Sequence, residues 1–181
     1  MINPISNFFR QQLTKKTPVT WNFISDEPLS TKKSLRDLVI EYFQREDWQF
    51  TTTQDPSILS LICQGGICHW YCYAKIAAKK NQFTFYSVSP CLATPEKLFA
   101  IAEYIARANY GMVVGNFDLD FTDGEIRYKT SFDFQFMQPN IEAIAQLVYT
   151  NVSTMERYLP GILAIIEQNV DPKQAIKEVE S

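Results

Sequence analysis

Asp123-Gly124 sits between two runs of alternating residues, Met112–Thr122 and Glu125–Phe136, and nothing else in the chain restricts its fold as much. Alternation gives extended strands whose side chains point to opposite sides, and Asp-Gly between two such runs favours a two-residue type I′ turn. Strands joined so tightly are antiparallel neighbours, so the chain must contain an antiparallel sheet. Counting outward from the turn sets Phe121 against Ile126, Leu119 against Tyr128, Phe117 against Thr130, Gly115 against Phe132 and Val113 against Phe134, all on the core side. There the Phe132 ring covers the missing side chain of Gly115. The other side pairs Asp120 with Arg127 and Asp118 with Lys129, each cross-strand pair contributing roughly a few tenths of a kcal/mol. Basic partners for these carboxylates, and a turn position for Asp123, argue against a metal.

A second hairpin is expected where Ser57–Gln64 and Ile67–Lys79 flank Gly65-Gly66. A two-residue turn there pairs Cys63 with Cys68, Leu61 with Trp70 and Leu59 with Cys72. Ala74, Ile76 and Ala78 extend that face, and Phe83 and Phe85 join it from a further strand, Gln82–Ser89, entered through a turn at Lys80-Asn81. This face is the better core. The opposite one carries Ile58, Ile62, Ile67, His69, Tyr71, Tyr73, Tyr86 and Val88. An antiparallel sheet needs helices on one face only, so this Tyr- and Ile-rich side reads as a half-wet contact surface, unless an arm or helix covers it.

Helical period marks three main segments. Leu35, Leu38, Val39, Tyr42 and Phe43 make one stripe between about Thr31 and Asp47, followed by a short strand at Gln49–Thr53. Thr94-Pro95-Glu96 opens a helix that ends at Gly111. Pro139 opens a long final helix, which Pro160-Gly161 should kink or break, and Asp171-Pro172 caps a short last one. The first thirty residues read as an arm: an amphipathic helix over Asn3–Leu13, then linker to Ser30, with Trp21 and Phe23 docking on the main body. The expected fold is one α+β domain over 31–181, an antiparallel sheet with helices packed on one face, in the order α-β-β-β-α-β-β-α.

Composition narrows function by exclusion. Net charge is −3 and the Lys pairs are isolated, so free nucleic acid is not an expected ligand. No apolar run has membrane length. Four Cys lack the density of a small secreted domain and no secretory leader is visible, which points to the reduced cytoplasm. There is one histidine. His69 lies one residue from Cys68 on a strand, and Cys72 faces away from it, so a Cys-His nucleophile is disfavoured. Cys63, Cys68 and Cys72 share a face without a fourth ligand, because Cys91 lies beyond Pro90. A Cys63–Cys68 cross-strand disulfide would be a redox switch, but core filling is the plainer reading. No phosphate-binding, dinucleotide, zinc-protease or serine-hydrolase motif is present. Neither an enzyme nor a cofactor is expected.

Asn109-Tyr110-Gly111, then Gly115-Asn116-Phe117-Asp118-Leu119-Asp120, then Asp123-Gly124-Glu125-Ile126-Arg127-Tyr128-Lys129-Thr130-Ser131 resembles the YbjN family in its cyanobacterial branch. Tyr158-Leu159-Pro160-Gly161 and the Asp171-Pro172 end fit as well. The resemblance covers about Thr31 to Glu178. It implies a sensory-transduction regulator with a fold similar to type III secretion chaperones, which are small acidic proteins, usually dimeric, that hold extended client segments. It supplies no catalytic residue. The expectation is a chaperone-like or regulatory protein-binding module, homodimeric, with Ile67, Tyr71, Tyr73 and Tyr86 near the centre of a client or dimer contact. The alternatives are a thiol redox sensor using Cys63 and Cys68, or a small-ligand sensor with a pocket between sheet and helices.

Overall fold

The computed structural model describes residues 33–181. The expected N-terminal helix, the linker and the docking of Trp21 and Phe23 lie outside the described residues. Ser34–Ser181 forms one compact unit. Its elements run α1 (Leu35–Arg45), β1 (Phe50–Thr52), β2 (Ile58–Gln64), β3 (His69–Ala77), β4 (Gln82–Val88), α2 (Leu98–Gly111), β5 (Asn116–Leu119), β6 (Ile126–Asp133), α3 (Ile141–Gln168) and α4 (Pro172–Glu180). The fold is α+β, as expected, but four strands rather than three precede the second helix. All strand pairs are antiparallel, in the order β1-β2-β3-β4-β6-β5.

Helix ends follow local chemistry. Ser34 and Asp37 form a reciprocal capping box at the start of α1, satisfying two orphan donors. Asn140 caps α3, and Asp171 caps α4 with Pro172 at its first position. Against expectation, α3 passes through Pro160 without a break. Burial of Tyr158, Leu159, Gly161, Ile162 and Ile165 around the proline holds the turns on either side. Gly161 also admits the Tyr104 ring, whose hydroxyl donates to the Tyr158 carbonyl at 2.9 Å. One lost backbone bond is outweighed by that packing.

Both hairpin registers are displaced by two residues from the sequence expectation. In the first, Cys63 pairs with Trp70, Leu61 with Cys72 and Leu59 with Ala74. The turn centres on Gly66-Ile67, and Gly65 N–H donates to the Cys68 carbonyl at 2.9 Å. Neither glycine there has positive φ, so no primed turn forms. Gly65 serves a different purpose: a Cβ on it would run into the Trp70 ring. In the second hairpin Leu119 pairs with Ile126 and Phe117 with Tyr128. Asp120 N–H donates to Glu125 O and Gly124 N–H to Asp120 O, both 2.9 Å, enclosing a four-residue loop, Phe121–Gly124. Gly124 has φ +80°, but Asp123 does not have positive φ, which excludes type I′.

A two-residue displacement keeps each side chain on its face. The core face therefore stands as read: Leu59, Leu61, Cys63, Trp70, Cys72, Ala74, Ile76, Phe83 and Phe85 are all buried. Residues moved off the strands do not keep their places. Phe121 is in the loop and 55% exposed, and Val113 precedes β5 and is almost fully exposed, whereas Phe132 stays on β6 opposite Phe83 and is 39% exposed. Ala78 belongs to the short 3-10 turn over Ala78–Lys80 and is exposed. Gly115, at φ +77°, is covered by the Tyr128 ring rather than by Phe132, and Tyr128 Oη donates to the Val114 carbonyl.

The helices cover one side of the sheet. On α3, Asn151 is fully buried and its amide N–H groups reach the carbonyls of Phe85 (2.9 Å) and Tyr128 (3.1 Å). Thr130 Oγ1 donates to the Leu147 carbonyl at 3.0 Å. These bonds tie β4 and β6 to the helix layer and so fix the orientation of the sheet's other face. Among the described residues no helix is long and apolar enough to cross a membrane.

Candidate protein-binding surface

The sheet face that the described helices leave open is built in rows by the strand registers. One row runs Ser60, Tyr73, Tyr86, Lys129, Asn116 across β2, β3, β4, β6 and β5. The next runs Ile62, Tyr71, Val88, Arg127, Asp118. A third runs Ile58, Lys75, Thr84 and Ser131, with Gln64 opposite His69 beyond on one side and Ala77, Gln82 and Asp133 on the other. Of the residues singled out in the sequence, Tyr71, Tyr73 and Tyr86 come together here, Tyr73 directly opposite Tyr86. Ile62 is 60% exposed and Tyr71 53%, while Tyr73 and Tyr86 are half-buried by their neighbours. Ile67 does not join them. The displaced turn places it at the hairpin tip, exposed but off the face.

The β6 end of the face is ionic, and sequence reasoning did not count it as part of the surface. The Arg127 guanidinium lies 5.0 Å from the centre of the Tyr86 ring, a cation–π contact. Asp118 accepts from Arg127 Nε at 3.3 Å and sits 3.3 Å from Lys129 Nζ. Glu125 lies 3.4 Å from Arg127. The expected Asp120–Arg127 pair gives way to a local turn, with Asp120 Oδ1 accepting from Thr122 N–H at 2.8 Å. The signal for this rim was present, since Arg127 and Lys129 alternate with core residues Ile126, Tyr128 and Thr130. An apolar strip ending in a charged, internally compensated rim matches the layout of protein contact patches.

The cysteines are placed differently from the redox alternative. Cys63 faces Trp70, and Cys68 sits in the turn next to Gly65, so the two are not cross-strand partners. Cys63 is buried with Cys72, and its thiol is held far above its ordinary range by a hydrogen bond with the Cys72 thiol, then by burial. Trp70 Nε1 donates to Ser87 Oγ at 3.0 Å, and the Cys72 sulfur lies 3.4 Å from that hydroxyl. A protonated, enclosed thiol is a poor nucleophile. An open cleft of about 580 Å³ lies between α2 and α4, lined by Ala106, Tyr110 and Ile176 with Glu103, Arg107 and Glu180. It lies between helices and is not the sheet–helix pocket of the small-ligand alternative.

No curated protein matches the chain. Its structure is similar to the crystal structure of YbjN from E. coli, described as a putative transcription regulator, with a TM-score of 0.53 and 14% identity over 74% of this chain and 90% of that one. At that identity the likeness concerns the fold. The family model YbjN, "Putative bacterial sensory transduction regulator", matches residues 35–164, and the chain therefore belongs to the YbjN family.

Proposed function

We propose that the chain is a non-enzymatic protein-binding module of a regulatory system, and that it binds through the uncovered face of its sheet. The observation carrying this reading is the exposure of Ile62 and Tyr71 on a face whose rows are continuous and whose opposite side is a complete core. Tyrosine offers large area, few rotors and a hydroxyl that tolerates water, which suits a surface alternately wet and covered. The family description, a sensory transduction regulator, is consistent with such a module. We take the occupant to be a protein client, and a second copy of the chain to use the same face in a homodimer.

The test is a double substitution, Tyr71→Ser with Tyr73→Ser, in the full chain. It should abolish the partners that wild type captures by in-cell crosslinking and leave the melting temperature within about 3 °C. Trp70→Ser is the contrasting variant and should unfold the domain. If the tyrosine pair destabilises as much as Trp70→Ser, the face is not a surface and the reading fails.

A further inference from the structure

A second exposed apolar patch lies away from the sheet face, where the β5–β6 loop meets the segment leading into α2. Phe99, on the first turn of α2, is 81% exposed, and Phe121 in the loop is 55% exposed. Their rings meet edge to face with centroids 6.1 Å apart. Leu92 is also exposed, and it precedes Ala93, whose N–H donates to Gly124 O in the loop that carries Phe121. Two phenylalanines left in water against each other are costly to a monomer, and nothing in the core requires either.

The patch is rigid. Ala93 N–H donates to the Gly124 carbonyl at 2.9 Å, and Gly124 is so close to Ala93 that a Cβ there would overlap its carbonyl. The loop is braced internally by Thr122 N–H on Asp120 and Glu125 N–H on Asp123, at 2.8 and 2.9 Å. Fixed aromatic anchors lose little entropy on binding.

The surround is acidic. Glu96 lies three residues before Phe99, in the turn that leads into α2, and Asp120 and Asp123 flank Phe121; all three are exposed. Hydrogen bonds keep two of them ionised: Glu96 by its own backbone and the Thr94 hydroxyl, Asp120 by the N–H and hydroxyl of Thr122. Two cations lie near: Lys97, held toward Asn169 Oδ1, and Arg127, which pairs with Asp118 and Glu125 and also favours the charged form of Asp120, so the three carboxylates are only partly offset. An apolar pair ringed by carboxylates is complementary to a segment with apolar side chains on one side and Lys or Arg on the other.

We propose that Leu92, Phe99 and Phe121, with Glu96, Asp120 and Asp123, form a docking site for a basic amphipathic segment of a partner protein. This site is separate from the sheet face and does not depend on it.

The test uses the full chain and a labelled synthetic peptide with Leu at helical spacing on one side and Lys on the other, followed by fluorescence anisotropy. Binding should saturate, and weaken as NaCl rises from about 0.05 to 0.5 M. Phe99→Ser with Phe121→Ser should weaken it about tenfold or more, since truncating central aromatic anchors removes most of a contact's energy. Glu96→Gln with Asp120→Asn and Asp123→Asn keeps the turn acceptors and should weaken binding while flattening its salt dependence. A matched peptide with Glu in place of Lys should not bind. Tyr71→Ser with Tyr73→Ser should bind the Lys peptide like wild type, which separates failure here from failure of the sheet-face reading. The proposal is overturned by the absence of saturable binding, by equal binding of the Glu peptide, or by full affinity in both patch variants.

Discussion

At the scale of single residues, the glycines carry the sharpest test of the fold. Gly124 has φ +80° and no room for a side chain beneath Ala93. Gly124→Val should cost at least about 1–3 kcal/mol, from strain at positive φ and from lost contact with residue 93, read by urea denaturation. Asp-Gly announced the hairpin correctly but neither the length nor the type of its turn, because an Asp side chain that bonds locally supports several loops. In this loop both carboxylates fold back on N–H groups two residues ahead, and a four-residue loop results. Gly65-Gly66 misled for another reason. The nearer glycine makes room for Trp70, a requirement set by a residue five positions on and invisible to turn rules. The thiols give a second test at this scale. Cys63→Ser with Cys68→Ser should leave partner capture intact, because Cys63 is buried beside Cys72 and not opposite Cys68. Loss of capture together with a reversible disulfide at that pair in cells would restore the redox reading.

At the scale of elements, faces were legible and ends were not. A two-residue error in register leaves parity untouched, so Trp70, Cys72, Phe83 and Phe85 fell on the core side and Tyr71, Tyr73 and Tyr86 on the other despite wrong pairings. The residues misplaced were Ile67 and Phe121 next to the turns, where the same error carries a side chain off the strand altogether, and Val113, which precedes a β5 shorter than the alternation implied. The short β5 shows what alternation cannot report. Asn109, at the end of α2, accepts from Phe117 N–H at 2.8 Å and donates to Phe117 O at 3.0 Å, so one side-chain amide pairs both outward backbone groups of an edge residue. Asn109→Ala should cost about 1–3 kcal/mol for two lost bonds to a part-buried backbone, and should speed hydrogen exchange in β5 well ahead of β3 and β4.

At the scale of the molecule, the described unit divides into a helix layer that completes the core and a sheet face left open by it. Dimerisation through that face should appear in light scattering across a dilution series as twice the monomer mass, and Tyr71→Ser with Tyr73→Ser should return the monomer. Monomer mass at every concentration would rule out the homodimer while leaving a client contact to the capture experiment. Partner identity was not legible in the sequence, because it resides in another chain's chemistry. The acidic aromatic patch was not legible either, since Phe121 read as a core residue opposite Ile126, and only the fold brings it against Phe99 in solvent.

The amide of Asn109 also bears on how copies of this chain can combine. Sheets grow sideways when an unpaired strand border templates the next strand, and open-ended growth of that kind gives filaments. Here one border is sealed at Phe117 by a side chain, and β1 at the other is three residues long. Lateral continuation is hindered at the first, where Phe117 is already paired, and short of hydrogen bonds at the second. Stacking across the broad side meets neither obstacle, and a stack of two leaves no free face for a third. A self-complex built on this sheet is therefore finite by construction.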